Sequence, residues 1–407
     1  MVLRGGVRLI MEPGESAKAA GLIYVTEDSK GIRRLKRGKE FHFVTSTGRK
    51  ISDPIELGRI KRLAIPPAWT DVWICPSANG HLQATGRDAK GRKQHRYHAR
   101  WREARDETKY NRMVVFAKAL PLIRKRLEKD LKRPGLPKEK VLATVVKILE
   151  TGLIRVGNEE YVKQNNSFGL TTMRDRHVKI RGNQIQFKFR GKSGKQHDID
   201  LSDPVLAKIV KNCQDLPGQE LFQYLDENGE QVRIGSTDVN QYLREITQED
   251  FTAKDFRTWA GTVLAAMALK ELEKFDSQAQ AKKNLKAAIE SVAERLGNTA
   301  AICRKCYIHP FVLEAYLSGN LLQAAEQRAQ DVIREGLTGL RPEEAAVLAF
   351  LERRLREVNG RREGGLMKQL EASLKHRGKG LESGKGEKQK GKGGRLQKRT
   401  KKVGQSH

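Results

Sequence analysis

Fifteen residues organise this chain: Leu296-Gly-Asn-Thr-Ala-Ala-Ile-Cys-Arg-Lys-Cys-Tyr-Ile-His-Pro310. In this stretch Tyr307 follows Asn298 by nine positions and comes directly after two cations and a cysteine. A phenol is a poor nucleophile at neutral pH because nearly all of it is protonated. A tyrosine that attacks a phosphate therefore needs cations around that phosphate. We interpret Tyr307 as a candidate nucleophile; the alternative is an aromatic side chain that only packs at the end of a helix.

Three cations upstream of the tyrosine are suited to holding a phosphate. Arg155 stands at a corner flanked by glycines, and Lys192 stands in the Gly-Lys-Ser-Gly turn of a predicted hairpin. Arg257 follows Lys254 by three positions, which places both on one face if the segment is helical. A lysine at the tip of a hairpin can reach a site on another element, although most turn lysines are simply solvated. The interpretation of Tyr307 depends on this set as a whole.

Composition points to a polyanionic partner. The 407 residues are enough for two or three domains with sizeable cores. Lys and Arg number 79 against 49 Asp and Glu, which gives a formal net charge of +30. Such an excess favours nucleic acid as the partner. No apolar run approaches the roughly 18 residues that span a bilayer, and the N-terminus lacks a signal-peptide core. We therefore expect no membrane partner and a cytoplasmic location.

The cysteines and the missing nucleotide motifs limit the chemistry. Four cysteines are too few for a disulfide framework in a chain of this length, which favours a reducing compartment. Cys303-Arg-Lys-Cys306 is a lone C-x-x-C without the second ligand pair that a zinc site needs, so we expect the two thiols to pack. The sequence contains no G-x-x-x-x-G-K-[ST] phosphate loop and no acidic cluster for paired metals. We expect neither a metal nor a nucleotide cofactor.

The N-terminal part is predicted to be β-rich. Residues 1–20 are expected to be a poorly ordered lead-in, and residues 21–103 a small β domain. Alternation of apolar residues between turn signals predicts strands at residues 22–25, 41–44 and 73–75.

A basic run ends that domain: Gln83-Ala-Thr-Gly-Arg-Asp-Ala-Lys-Gly-Arg-Lys-Gln-His-Arg-Tyr-His98. Arg92 can reach phosphates, while Gln94 and Tyr97 can contact base edges or sugars. The alternative is a solvated basic loop. Aromatic and amide groups interleaved among the cations favour DNA contact.

The rest of the chain is predicted to be mostly helical. Beyond residue 103 the apolar period becomes helical, which predicts a catalytic domain over residues 104–325. Helices are predicted at residues 113–131, 138–149, 263–272, 278–296 and 311–322, with a hairpin over residues 185–201. A helical extension follows over residues 326–360. Residues 361–407 are dominated by Lys, Gly, Glu, Gln and Arg, which predicts a disordered basic tail.

The candidate residues, taken in their order along the chain, are similar to those of a known family. Arg155, Lys192, Lys254-Asp-Phe-Arg257, Asn298 and Tyr307, preceded by Gly91-Arg-Lys-Gln-His-Arg-Tyr97, resemble the small type IB DNA topoisomerases of bacteria and poxviruses. The resemblance covers roughly residues 20–325. It implies an α+β fold of two domains: a small β-rich domain and a mostly α-helical catalytic domain of the topoisomerase and tyrosine recombinase fold. A monomer would clamp duplex DNA between them, in the bacterial nucleoid.

The resemblance also implies a reaction. Tyr307 would attack a DNA phosphodiester to give a 3′-phosphotyrosine and a free 5′-hydroxyl, the cut strand would rotate, and the hydroxyl would reseal it. Arg155 and Arg257 would hold the non-bridging oxygens. Lys192 would protonate the departing 5′ oxygen. Because the enzyme–DNA bond stores the phosphodiester energy, neither ATP nor a divalent metal would be required.

Further roles follow from the same resemblance. The best-known members place a histidine where this chain has Asn298, whose amide can donate a hydrogen bond but cannot carry charge. We expect Asn298 to stabilise the oxyanion in neutral form. Tyr161 resembles a DNA-contact tyrosine of the family, and Lys254 is a further candidate for DNA contact. The family leaves open whether Tyr307 is in place before DNA binds.

Two other interpretations compete with this one. Tyrosine recombinases share the Arg, Lys, Arg, Tyr logic. They usually show His-x-x-Arg where this chain has Lys254-x-x-Arg257, and their N-terminal domain is helical. A non-catalytic architectural protein would explain the positive charge, but it would leave the ordered set to coincidence.

Overall fold

The computed structural model describes residues 13–38, 40–272, 275–319, 339–358 and 360, without the side chains of 106–108. The chain divides into two units, Met1–Glu352 and Arg353–His407. In the second unit, residues 353–358 are helical. The predicted basic tail over residues 361–407 and the start of the predicted extension lie outside the described residues. Every element below belongs to the first unit unless stated.

The start of the chain differs from its prediction in two respects. Helix α1, Pro13–Ala19, lies within the segment expected to be a poorly ordered lead-in. It is held because Ala17 packs with Leu22 and Trp101 in a small apolar cluster. The strand predicted at residues 22–25 is wrong. Ile23 makes a single β-bridge to Gly80, since the chain here packs against α1 and a turn rather than alongside a full strand.

A five-stranded antiparallel sheet with strand order β2-β1-β3-β4-β5 follows. Its strands are β1 Ile32–Arg37, β2 Glu40–Val44, β3 Thr70–Ile74, β4 Leu82–Arg87 and β5 Lys93–Tyr97. Helix α2, Pro54–Arg62, covers one face and is capped by Asp53, whose carboxylate accepts from the amide of Ile55 at 3.1 Å. Ile60 of α2 packs on the buried residues of the sheet. Strands β2 and β3 confirm the predictions at residues 41–44 and 73–75.

The basic run forms a hairpin of β4 and β5 rather than a loop. Asp88 organises its turn by accepting from the amides of Lys90 at 2.9 Å and Arg92 at 3.0 Å. The Arg92 guanidinium, which also bonds this carboxylate, lowers the pKa of Asp88 to about 2. Strand β5 exposes alternate residues, including Tyr97. The sequence did not predict the strand because its alternation is between two kinds of polar side chain.

Helix α3, Ala99–Leu131, leads directly from the sheet into the helical part. Its first turn packs Trp101 against the N-terminal cluster, and its later turns bury Phe116, Leu120 and Ile123. The predicted boundary at residue 103 falls inside this helix and stays a prediction.

The helical part surrounds α4, whose residues from Val141 to Val146 and beyond are almost all buried. The helices are α4 Lys138–Gly152, α5 Glu159–Asn165, α6 Pro204–Gln214, α7 Ser236–Thr247, α8 Ala253–Glu271, α9 Gln278–Arg295, α10 Ala300–Cys306, α11 Pro310–Leu317 and a helical stretch over 342–352. A three-stranded sheet lies among them, with strands β6 Val178–Arg181, β7 Gln184–Arg190 and β8 Gln196–Ser202. A small hairpin pairs β9 Gln223–Leu225 with β10 Gln231–Arg233.

The α+β organisation predicted from the sequence is therefore confirmed, with a sheet followed by a mostly helical part. The predicted hairpin over residues 185–201 is the pair β7 and β8. The helices predicted at residues 113–131, 138–149, 263–272 and 278–296 are also present. The helix predicted at residues 311–322 is present but ends at Leu317, since residues 318–319 form a turn; residues 320–322 lie outside the described residues. In the described part of the chain, no helix is long and apolar enough to span a bilayer.

Candidate active site

Separate elements of the helical part, together with the β4–β5 turn of the sheet, converge on one groove of about 1040 Å³. Seven of the residues singled out in the sequence line it: Arg92, Arg155, Tyr161, Lys192, Lys254, Arg257 and Tyr307. Asn298 lies behind this lining and bonds Arg155. Gln94 and Tyr97, on β5, do not line the groove. The structure brings these seven side chains together in one groove.

Arg257 is a buried cation held by backbone. It lies in the second turn of α8 and is 4% exposed. Its guanidinium donates to the carbonyl of Leu153, which ends α4 in a left-handed conformation, and at 2.6 Å to the carbonyl of Leu296, which ends α9. Burial, followed by the charge of Arg155, lowers the pKa of Arg257 to about 10. The Nε atom is buried and has no partner among the described residues.

Arg155 lies three residues beyond the end of α4 and is half-buried. Its guanidinium donates to the carbonyl of Gly297 at 3.4 Å and to the side-chain oxygen of Asn298. Burial lowers the pKa of Arg155, and the side chain of Tyr307 opposes that shift. The hydrogen-bond acceptors of both arginines in the described chain are carbonyl and amide oxygens and the Tyr307 side chain, with no carboxylate among them. Two adjacent, partly dehydrated cations without a carboxylate favour a bound anion.

Asn298 completes this cluster of donors. Its carbonyl oxygen accepts from Arg155, which directs the amide NH₂ away from that contact. The NH₂ nitrogen is buried and lacks a partner in the part of the chain that the structure describes. The backbone amide of Asn298 donates to Ala293 at 2.8 Å and so fixes the residue to the end of α9. A neutral donor is therefore held beside two guanidinium groups.

Tyr307 packs against α8, the helix that carries Arg257. It follows α10 directly, and its ring centroid lies 5.5 Å from the guanidinium carbon of Arg257. Its carbonyl accepts from the Thr262 hydroxyl at 3.1 Å. A Cβ added to Gly261 would lie 2.9 Å from that carbonyl oxygen and 3.0 Å from the Tyr307 Cβ, so only glycine permits this approach. Gly261 and Thr262 were not identified from the sequence, because a small residue in an apolar helix does not reveal what packs against it.

Lys192 lies at the exposed tip between β7 and β8. The turn is closed by a hydrogen bond of 2.7 Å from the amide of Gly191 to the carbonyl of Lys195. Ser193 adopts a left-handed conformation with φ of 63°. Lys192 lines the groove together with Tyr307, Arg155 and Arg257. It therefore reaches the site from a different element of the fold than these three residues.

His197 is a structural neighbour of the site that sequence reasoning missed. Its ring stacks on Phe189, with centroids 4.9 Å apart and planes 16° apart. A Cβ at Gly191 would lie 2.6 Å from the ring, and one at Gly297 would overlap it. Burial, then the charges of Arg155, Lys195 and Arg257, lowers the pKa of His197 to about 4. The uncharged His197 ring thus fills the space between Gly191, at the β7–β8 turn that carries Lys192, and Gly297, which precedes Asn298.

The candidate DNA contacts fall into two groups. Arg92, Lys254 and the half-exposed Tyr161 line the groove beside the site. Gln94 instead donates at 3.0 Å to Asp88 in the β4–β5 turn. The ring of Tyr97 is 38% exposed and stacks on that of His95 with centroids 5.8 Å apart.

The C-x-x-C pair lies on α10 directly before Tyr307. Cys303 is fully buried, as expected for a packing thiol, and burial raises its pKa to about 11. Cys306 is partly exposed. Among the described residues no group of three or more His, Cys, Asp or Glu side chains is arranged to hold a metal ion.

Comparison with known proteins gives matches over most of the described chain. Residues 98–332 match the family model of the catalytic core of eukaryotic DNA topoisomerase I, and residues 40–88 match that of the N-terminal domain of bacterial DNA topoisomerase IB. DNA topoisomerase 1B of Acanthamoeba polyphaga mimivirus is 34% identical over 294 residues, which are 70% of this chain and 88% of the relative. DNA topoisomerase 1B of vaccinia virus strain Copenhagen is 24% identical over 283 residues, 67% of this chain and 85% of the relative.

Proposed function

The chain belongs to the type IB DNA topoisomerases, and on that basis we propose that it relaxes supercoiled duplex DNA by cutting and resealing one strand. The observation that carries the proposal is the cluster of Arg155, Arg257 and Asn298 beside Tyr307. Among the residues that the structure describes, two guanidinium groups without a carboxylate and a buried amide donor without a partner form a site for an oxyanion.

Tyr307 is the proposed nucleophile. Its phenol loses its proton to solvent as the oxygen attacks the phosphorus of a DNA phosphodiester, a P–O bond to the tyrosine forms, and the bond to the 5′ oxygen breaks. The strand is then held as a 3′-phosphotyrosine. The planar guanidinium groups of Arg155 and Arg257 suit the equatorial oxygens of the five-coordinate transition state, because each presents donors in a fixed fork.

Lys192 is the proposed general acid. The departing 5′ oxygen is a poor leaving group as an alkoxide, so it needs a proton as the bond breaks. Lys192 lines the groove from the tip of the β7–β8 hairpin, whereas Tyr307 follows α10. In resealing, the same side chain takes the proton back from the attacking 5′-hydroxyl.

Asn298 is proposed to donate to a phosphate oxygen. Its side-chain oxygen is already used by Arg155, so the NH₂ group is the part that remains for the substrate. This contact adds a donor without adding charge. It supports the expectation that an asparagine stabilises the oxyanion in neutral form.

Duplex DNA is the proposed partner. The groove lining carries Arg92, Tyr161 and Lys254 next to the catalytic set, with further cations from the β4–β5 turn and the β7 strand. We propose that the sheet part, up to about residue 103, and the helical part, residues 104–325, act as two halves of a monomeric clamp. The basic sequence of residues 361–407 adds salt-sensitive affinity for phosphates. The proposed place of action is the nucleoid in the cytoplasm.

The reaction as proposed requires neither ATP nor a divalent metal. The phosphodiester energy is kept in the phosphotyrosine bond, and the torsional strain of the DNA drives rotation. Cations of the protein provide the charge that a metal would otherwise supply. Two features favour this proposal over the tyrosine recombinase alternative. They are the N-terminal sheet and Lys254, which stands where recombinases usually have a histidine.

The test is relaxation of negatively supercoiled plasmid in EDTA without nucleotide. The wild type is expected to relax the plasmid, and Tyr307→Phe is expected to bind DNA without relaxing it. Relaxation by both proteins would exclude Tyr307 as the nucleophile. Binding without relaxation by either protein would favour the architectural alternative.

A further inference from the structure

Four consecutive backbone carbonyls around Tyr307 each lie within hydrogen-bond distance of a side chain from another helix. The Tyr307 carbonyl accepts from Thr262 of α8. The other three are contacted by α3. The carbonyl of Cys306 accepts from the Lys109 ammonium at 2.7 Å. The Tyr110 hydroxyl lies 3.4 Å from the carbonyl of Lys305 and 3.3 Å from that of Ile308, and its one proton can be donated to either of them. The backbone on both sides of the nucleophile is thus fixed from outside its own segment.

These contacts occur where the segment has no partner of its own. α10 has only seven residues and ends at Cys306, so its last carbonyls lack intrahelical donors. An ammonium at this end also complements the negative end of the helix dipole. The Lys109 ammonium lies 4.7 Å from the centre of the Tyr110 ring, and that ring packs at 4.5 Å from the ring of His309. The two α3 side chains therefore form one compact support.

The same helix connects this support to the rest of the molecule. α3 begins next to β5, and its Trp101 packs in the N-terminal cluster. One turn beyond the support, Arg112 pairs with Asp255 at the start of α8 at 3.3 Å. α3 thus contacts both elements that carry the proposed chemistry, the segment of Tyr307 and the helix of Arg257.

We propose that Lys109 and Tyr110 are positioning residues that hold Tyr307 in line for attack on the phosphate. This inference rests on the proposed function and assigns it two further residues. Neither side chain touches the reacting atoms; each acts through the backbone carbonyls on either side of the nucleophile. Because a small misplacement of a reacting group lowers a rate by as much as about 10²-fold, the support affects the chemical step rather than DNA binding.

The relative loss of cleavage and of resealing distinguishes a positioning role from a general effect of positive charge. In cleavage, the support must order a free tyrosine side chain. In resealing, the covalent bond to DNA already restrains that side chain. Loss of the support is therefore expected to slow cleavage more than resealing and to lower the amount of covalent adduct at equilibrium.

The experiment uses the full chain and a short duplex whose cleaved 5′-hydroxyl fragment dissociates, at saturating protein. Lys109→Met removes the ammonium, Lys109→Arg keeps a cationic donor, and Tyr110→Phe removes only the hydroxyl. Lys125→Met is the matched control, because it removes the same charge from an exposed position on the same helix. The measurements are the single-turnover cleavage rate, the resealing rate of the isolated adduct, and DNA affinity by fluorescence anisotropy.

We expect Lys109→Met and Tyr110→Phe each to slow cleavage about 10-fold, with resealing slowed less than about 3-fold and DNA affinity within about 2-fold of the wild type. Lys109→Arg should restore most of the cleavage rate, and Lys125→Met should match the wild type. Cleavage within about 2-fold of the wild type in both variants would overturn the inference. An equal loss in Lys125→Met, or equal losses of cleavage and resealing, would also overturn it.

Two further outcomes separate this inference from the proposed function and from misfolding. If the wild type forms no covalent adduct, the proposed function itself fails. If the wild type forms the adduct and the variants match it, only the positioning inference fails. If Lys109→Met does not fold, the result for Tyr110→Phe decides whether the positioning inference holds. Tyr110→Phe is suited to this because it keeps the aromatic ring that packs on His309.

Discussion

The guanidinium of Arg155 donates a hydrogen bond to the side-chain oxygen of Asn298. Because the amide oxygen is occupied in this way, the amide can offer only its NH₂ group to a substrate. The NH₂ nitrogen and the Nε of Arg257, both buried and without a partner in the described ranges of the chain, lie in the same cluster. An oxyanion that enters the groove would therefore meet donors already fixed in place, and reorganisation at the moment of reaction would be small.

The first prediction concerns the orientation of Asn298. Asn298→Ala removes one neutral donor and should slow single-turnover cleavage about 10²-fold. Asn298→Asp should slow it further, because a carboxylate pairs with Arg155 and repels the phosphate. The measurement is formation of the covalent adduct on a labelled duplex. Cleavage by Asn298→Asp at the wild-type rate would show that the residue does not face the phosphate.

The second prediction concerns the close approach of α8 to the nucleophile. A Cβ at position 261 would lie 2.9 Å from the Tyr307 carbonyl oxygen, so Gly261→Ala must displace either the helix or the nucleophile. We expect it to lower the free energy of unfolding by about 1–3 kcal/mol and to slow cleavage. Urea unfolding and single-turnover cleavage measure the two effects.

A matched control for this substitution lies in α2. Gly58 is also a helical glycine, but the nearest atom to its added Cβ is the flexible end of Arg62, at 3.6 Å. Gly58→Ala should leave cleavage unchanged and stabilise the protein by up to about 1 kcal/mol. If both alanine variants behaved alike, the contact between Gly261 and Tyr307 would have no special role.

The third prediction concerns the proton that Lys192 is proposed to supply. Lys192→Ala should lose most of its cleavage activity on an ordinary phosphodiester. A substrate with sulfur in place of the bridging 5′ oxygen has a leaving group that needs no proton, so it should restore cleavage by this variant. Arg257→Ala should gain no comparable benefit, because it lacks a contact to the non-bridging oxygens. Equal rescue of both variants would remove Lys192 from the role of general acid.

The fourth prediction concerns the pH dependence of stability. The pKa of His197 is lowered to about 4 by burial and by nearby cations, from 6.5. Between those values the unfolded chain binds a proton that the folded protein does not, so stability falls as pH falls through this window. His197→Gln removes this contribution. The difference in unfolding free energy between the wild type and the variant should shrink from pH 7 to pH 4.5, and a difference that grew on acidification would contradict the assignment.

The sequence was most informative where chemistry requires particular side chains. Arg155, Lys192, Arg257 and Tyr307 could be selected because their charges, their nucleophile and their order in the chain form a recognisable pattern. The structure brings these four to one groove.

The supporting residues could not be selected in the same way. Gly261, His197 and Tyr110 act through close approach or through a backbone carbonyl that is distant in sequence. Their types are common in helices and strands, and only the three-dimensional arrangement gives them a function. A single sequence contains no signal for a pair of residues that lie 198 positions apart, such as Tyr110 and Ile308.

The N-terminal sheet shows a second limit of sequence reasoning. Strands β1 and β5 are rich in Lys and Arg, so their period of two is not an alternation of apolar and polar residues. The apolar alternation at residues 22–25 did predict a strand, but the chain there forms only one bridge. Pairing partners, rather than local pattern, decide which of these segments becomes a strand.

The central claim is tested most directly by locating the bond between protein and DNA. A duplex labelled at the 5′ end of the cleaved strand is incubated with the wild type in EDTA, trapped with denaturant, and digested for mass spectrometry. The account predicts that the label stays with the protein and that the modified peptide carries a 3′-linked nucleotide on Tyr307. A nucleotide on another residue, or release of the 5′-end label from a protein that has cleaved the strand, would contradict it.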